Sequence, residues 1–190
     1  MNVLLVHGSM GSPYENWFPW LELELRKENV NCIVPTFPTP IGQDYATWKK
    51  LLDYYVDAKA ITRDTILIGH SCGSVFLVHY LLESKIQVAG LICVSGYNNF
   101  ISGNEFMDNL NNSFYIDNNS INVSEFANKV ISYYGCDDPF IPQQYLSQFA
   151  KSVGGISIPI SNAGHFNSQS GYNECKPVLD SVKDIISNHN

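Results

Sequence analysis

A chain of 190 residues, 45% of them hydrophobic and 13% aromatic, has the length of one compact domain. Such a domain buries roughly 70% of the surface its unfolded form exposes, which excludes intrinsic disorder and a mini-protein that depends on staples. With 18 acidic against 11 basic side chains the net charge is −7, and no basic run extends beyond a pair such as Lys49-Lys50, so nucleic acid is excluded as a general partner.

The apolar run Val3 to Val6 opens the chain and reads as a first strand. It is too short for a secretion signal, and no apolar stretch approaches the roughly 20 residues of a membrane span, so no membrane association and a cytoplasmic location are expected. The glycine-rich loop His7-Gly8-Ser9-Met10-Gly11-Ser12 follows. It lacks the Gly-Lys-Ser/Thr ending of a phosphate loop, and Gly8-x-x-Gly11 does not complete a dinucleotide fingerprint. Ser12-Pro13-Tyr14-Glu15 carries a capping serine, a proline at the first helical position and a glutamate three residues after the cap, predicting a helix that runs to about Glu28.

Cys32 to Pro35 reads as a second strand, and Trp48, Leu51, Leu52 and Tyr55 recur at helical spacing. Thr65 to Ile68 is a third strand, Ser74 to Glu83 a strongly amphipathic helix and Ala89 to Val94 a fourth strand. From Asn98 to Asn122 the chain is crowded with Asn and Gly yet keeps Phe106, Leu110 and Phe114 four residues apart, which fits a small cap insertion carrying a short amphipathic helix. That helix either closes the core or forms a lid over a site. Lys129 to Tyr134 and Ile156 to Ile160 supply the last two strands, with helical stripes at Tyr145 and Phe149 and at Val178, Val182 and Ile185. Several strands are continuously apolar, as in a sheet covered on both faces. The alternation predicts a single α/β domain over residues 1–190, a three-layer α/β/α sandwich around a mainly parallel six-stranded sheet.

The five cysteines, Cys32, Cys72, Cys93, Cys136 and Cys175, include no C-x-x-C pair, so neither a disulfide framework nor a metal site is signalled. The chemistry points elsewhere. Gly69-His70-Ser71-Cys72-Gly73 matches G-x-S-x-G, with a buried strand before it and a helix after it, the setting of a nucleophile elbow. Side chains two positions either side of Ser71 would collide with the neighbouring chain, so glycine is needed at both. The Cys72 N–H at the helix start is then one oxyanion donor, and Ser9 or Met10 in the loop after the first strand is the second.

A serine hydroxyl needs a base, and the base an orienting acid. Asp137 and Asp138 directly follow the fifth strand, and Gly164-His165-Phe166 follows the sixth. The order Ser, Asp, His past the C-terminal ends of parallel strands is that of an α/β-hydrolase. Gly135-x-x-Asp138 favours Asp138 as the acid, leaving Asp137 to support the loop. Among the histidines, His7 ends a strand, His70 lies inside the elbow, His79 sits on a helix and His189 is at the C-terminal end, so His165 alone has a loop position suited to a base.

His7-Gly8, Gly11-Ser12-Pro13, Asn16-Trp17-Phe18-Pro19-Trp20-Leu21, Trp48, Gly69-His70-Ser71, Val94-Ser95-Gly96, Asp137-Asp138-Pro139-Phe140-Ile141-Pro142 and Ala163-Gly164-His165 together resemble the small serine hydrolases related to retinoblastoma-binding protein 9. The resemblance covers nearly the whole chain. It implies a minimal α/β-hydrolase with a small cap, acting on carboxylic esters or related acyl compounds, with Ser71, Asp138 and His165 as the triad and no cofactor. Cys72 departs from the small or apolar residue common after the nucleophile. Trp17, Phe106, Leu110 and Phe114 are the expected pocket wall, and a small acyl or ester substrate the expected partner. The rival reading is a non-catalytic protein-binding module that keeps the fold.

Overall fold

The computed structural model describes residues 1–101, 103–117 and 121–189; Ser102 and Asn118 to Ser120 of the expected insertion lie outside them. Six strands occur among the described residues: β1 (Asn2–Val6), β2 (Asn31–Ile33), β3 (Thr65–His70), β4 (Gly90–Val94), β5 (Val130–Gly135) and β6 (Ile156–Ile160). They pair in the order β2-β1-β3-β4-β5-β6, and every pairing is parallel. Six α-helices connect or flank them: α1 (Phe18–Lys27), α2 (Tyr45–Asp57), α3 (Cys72–Ser84), α4 (Glu105–Asn111), α5 (Gln143–Ser152) and α6 (Lys176–Ser187).

Alternation along each strand divides the core into two. Leu4, Val6, Leu67, Leu91 and Cys93 point to the face covered by α2 and α3, where Trp48, Leu52, Phe76 and Tyr80 meet them. Val3, Leu5, Ile66, Ile68, Ile92 and Val94 point to the opposite face, against Phe18, Leu21 and Leu25 of α1 and Val178 and Val182 of α6. Burial on both faces is what the continuously apolar strands require. No helix among the described residues is long and apolar enough to cross a membrane.

The first helix departs from expectation. Glu15 does reach back, its Oε1 accepting the Ser12 N–H at 3.0 Å. Asn16 then turns left-handed (φ 54°), so this box closes a turn, and α1 starts only at Phe18 with Pro19 in its first turn.

Strand order also locates a crevice. From β1 the sheet grows to β2 on one side and to β3 on the other, so the loops leaving β1 and β3 diverge at the C-terminal edge, where open α/β sheets bind ligands.

Candidate active site

Ser71 occupies the turn between β3 and α3 with φ 54° and ψ −124°, a conformation costly for any residue with a Cβ. Neighbouring backbone holds it there: Ser71 N–H donates to Val94 O at 2.8 Å, and Ser71 O accepts from Ser74 N–H at 2.9 Å. A Cβ on Gly69 would lie 2.6 Å from Gly73 O and from Ser74 N, and one on Gly73 would lie 2.5 Å from Val6 O. Both glycines are therefore dictated by backbone contact. Ser71 also stands at the N-terminus of α3, whose 13 residues direct unpaired N–H groups and a partial positive charge toward it. Burial pushes the Cys72 thiol up to about 12, opposed by a side-chain hydrogen bond with Ser9, so the thiol stays neutral.

The loop after β1 lies against this serine, since a Cβ on Gly8 would sit 2.8 Å from Ser71 Cβ and 3.4 Å from its Oγ. Met10 N–H donates to Thr39 Oγ1 at 2.7 Å. That bond engages one of the two donors expected for an oxyanion and leaves Ser9 as the candidate.

Asp138 and His165 meet at the ends of β5 and β6. His165 Nδ1 lies 2.7 Å from Asp138 Oδ2, with the acid side chain fully buried and the imidazole 10% exposed. Asp138 Oδ1 accepts from the N–H groups of Phe140 and Ile141 at 2.9 and 3.1 Å, so the buried carboxyl is fully partnered. Asp137 has a different task. Its Oδ1 accepts from Ala163 N–H at 3.0 Å and Gly164 N–H at 3.1 Å, which ties down the loop carrying His165.

His70 is held beneath. Its Nε2 donates to His165 O at 2.9 Å, and its ring packs edge-on against Phe18 at 5.7 Å. Burial first, and the neighbouring His165 second, push its pKa down to about 3, so it is neutral in the folded protein. An unfolded chain takes up that proton below about pH 6.5, so stability is complete above that pH and falls as pH drops toward about 3. The expected slope is roughly 1 kcal/mol per pH unit from this group. Urea midpoints measured from pH 7 to 4 should decline less in His70→Asn than in wild type; parallel declines would contradict a neutral buried His70. His7 is also neutral, its pKa lowered by burial, with Nδ1 donating to Gly8 O and Nε2 accepting from Phe37 N–H.

Ser71 and His165 line one cavity of about 790 Å³. Its apolar lining includes Tyr97, Ile101, Met107, Phe140 and Ile141, and its polar lining Glu15, Asn16, Asn167, Ser168 and Gln169. The expected wall of Trp17, Phe106, Leu110 and Phe114 needs correcting. Trp17 is fully buried behind the histidine loop, its Nε1 donating to Phe166 O at 2.9 Å. Phe114 is buried in the core against Trp48 and Phe76, with ring centroids at 4.9 and 5.9 Å. Phe106 is 62% exposed and Leu110 half-buried. Because Phe114 anchors the end of α4 in the core, the stripe facing the cavity is Asn104 and Met107, with Asn111 buried one turn on. That is a rotation of about 100°, one residue, from the apolar spacing. Sequence spacing gave no sign of Asn111 or of Gln43, because both are polar residues buried by partners distant in the chain.

No group of three His, Cys, Asp or Glu side chains that could hold a metal ion occurs among the described residues. A family model described as serine hydrolase matches residues 3–184. The chain belongs to the serine hydrolase family. This serine hydrolase is 25% identical to YdeN of Bacillus subtilis over 187 residues, 97% of the chain and 96% of the relative. It is 26% identical to serine hydrolase RBBP9 of Rattus norvegicus over 157 residues, 80% and 78% of the two chains. The crystal structure of the B. subtilis ydeN gene product superposes with a TM-score of 0.86 at 23% identity, covering 98% of this chain and 99% of that one. Mouse alpha/beta hydrolase domain-containing protein 10 superposes at 0.74 and 13% identity, over 100% and 90%, a likeness of fold alone. The fold is that of an α/β-hydrolase.

Proposed function

We propose that this serine hydrolase cleaves carboxylic esters and related small acyl compounds, with Ser71, His165 and Asp138 as a catalytic triad and Ser71 on a nucleophile elbow. The observation that carries the reading is the His165–Asp138 pair at 2.7 Å opening onto the same cavity as the strained Ser71 turn. His165 takes the Ser71 proton as Oγ attacks the acyl carbonyl, and Asp138 holds the imidazolium that forms. The Cys72 and Ser9 N–H groups stabilise the tetrahedral oxyanion. The C–O bond to the leaving alcohol then breaks as His165 returns the proton to it, leaving an acyl-serine. Water attacks the acyl group by the same route in reverse and releases the acid and free Ser71. Fluorophosphonate labelling followed by peptide mapping tests the reading: the expected adduct is on Ser71, and an active enzyme labelled elsewhere would overturn it.

Asn167, Ser168 and Gln169 of the polar lining follow His165 in the chain, so the leaving group, which must receive its proton from His165, faces them. The acyl chain faces Tyr97, Ile101 and Met107. Each buried methylene is worth up to about 0.8 kcal/mol, or about fourfold in kcat/KM. Activity on p-nitrophenyl esters is expected to rise from acetate over the next few carbons and to fall before palmitate, because the cap is short. Met107→Ala should flatten that rise and Phe106→Ala should not; improvement continuing to palmitate would contradict a short acyl pocket.

A further inference from the structure

We infer that Asn111 is a positioning residue that sets the oxyanion donor at Ser9 from the cap, an inference that rests on the triad reading above. Asn111 is fully buried at the C-terminal end of α4, with every side-chain polar atom engaged. Its Oδ1 accepts from Ser9 Oγ and, at 2.7 Å, from Gln43 Nε2, and its Nδ2 donates to Tyr97 OH at 2.9 Å. The same Gln43 amide donor is shared with Ser9 Oγ, 2.8 Å from Nε2. Thr39 Oγ1 donates to Gln43 Oε1 while accepting the Met10 N–H. Donor directions are consistent throughout: the Ser9 hydroxyl gives its one hydrogen to Asn111 and takes one from Gln43, so it cannot rotate without breaking two bonds.

The network reaches both residues of the loop at once, Ser9 through its hydroxyl and Met10 through its amide. Its far end is fixed by the core. Phe114, three residues after Asn111, is buried against Trp48 and Phe76. The intervening Ser113 accepts the Tyr45 N–H at 3.0 Å, and Phe114 O accepts from His79 Nδ1 at 3.2 Å. Asn111 is thus tied to α2 and α3, and the Ser9 backbone is tied to Asn111. An oxyanion donor is worth about 10² to 10³ in rate, but only at the right distance, and a displacement of about 1 Å can cost about 10². A tether on the Ser9 side chain is a means of holding its backbone N–H to that tolerance.

The test compares wild type, Asn111→Ala, Ser9→Ala, Ser9→Thr and the double alanine variant, with active sites counted by fluorophosphonate titration. Asn111→Ala and Ser9→Ala are each expected to lower kcat about 10- to 100-fold with KM changed less than about threefold. Affinity for a trifluoromethyl ketone, whose hydrate-like adduct places an oxyanion in the hole, should fall in proportion. Ser9→Thr keeps the hydroxyl and should retain most activity, and the double variant should be no worse than the poorer single one. A purely structural Asn111 would instead lower the unfolding midpoint while the titrated sites kept wild-type kcat and inhibitor affinity, which would overturn the inference. If Asn111→Ala does not fold, Ser9→Ala against Ser9→Thr decides on the same readouts. Wild type that fails to label at Ser71 would overturn the triad reading itself, an outcome separate from a labelled wild type whose two alanine variants are unimpaired.

Discussion

Ser71→Ala is expected to reduce ester hydrolysis by about a thousandfold or more while leaving the protein folded. The size of the loss follows from the serine's being one member of a unit: without Oγ neither His165 nor the oxyanion donors have an acyl-enzyme to form, and only binding and polarisation of the substrate remain. The fold should hold because alanine keeps the Cβ and the backbone bonds to Val94 and Ser74 that stabilise the φ 54° turn. Turnover of p-nitrophenyl acetate by active-site-matched samples, with a urea midpoint as the folding control, measures it. Turnover by the folded variant near the wild-type rate would remove Ser71 from the mechanism.

The second large effect separates two adjacent acids. Asp138→Asn should lower kcat/KM by about 10³ to 10⁴, because an amide facing His165 Nδ1 can present N–H groups and favours the tautomer that cannot take the Ser71 proton. Asp137→Asn should cost less than about tenfold, since the amide oxygen can still accept from the Ala163 and Gly164 N–H groups now bonded to Asp137 Oδ1. Kinetics of the two variants on one ester, at equal folded concentration, give the ranking. A reversed ranking would make Asp137 the orienting acid, contrary to the 2.7 Å contact of Asp138.

What could be read in the sequence was what local chemistry forces. The strands were legible because Leu4 and Val6 must be buried on one face and Val3 and Leu5 on the other. Gly69 and Gly73 were legible because no side chain fits where β3 turns into α3. The acid and the histidine were legible as loop residues at strand ends, where the topology gathers them. Elsewhere distant contacts decided. The Ser12-to-Glu15 box has the bonds of a helix start, yet left-handed Asn16 stops it. Spacing placed Phe106, Leu110 and Phe114 on one face of a helix that either closes the core or lids a site; Phe114 enters the core, and buried Asn111 follows the cavity-facing stripe. Apolar periodicity has no means of finding a polar residue whose partners, Ser9 and Gln43, are 102 and 68 positions away.

Asp137 and Asp138 act on a single loop from one turn: the first grips its backbone at residues 163 and 164, the second the imidazole at 165. The side-chain bonds that hold the base therefore come from one turn after β5, whereas Ser9 is bonded to the β4–β5 insertion through Asn111. Under the proposed mechanism the two sets of bonds are free to diverge separately. Substitutions at Asn111 would reach carbonyl attack through Ser9, while the grip of Asp138 on the imidazole would be left to the turn after β5.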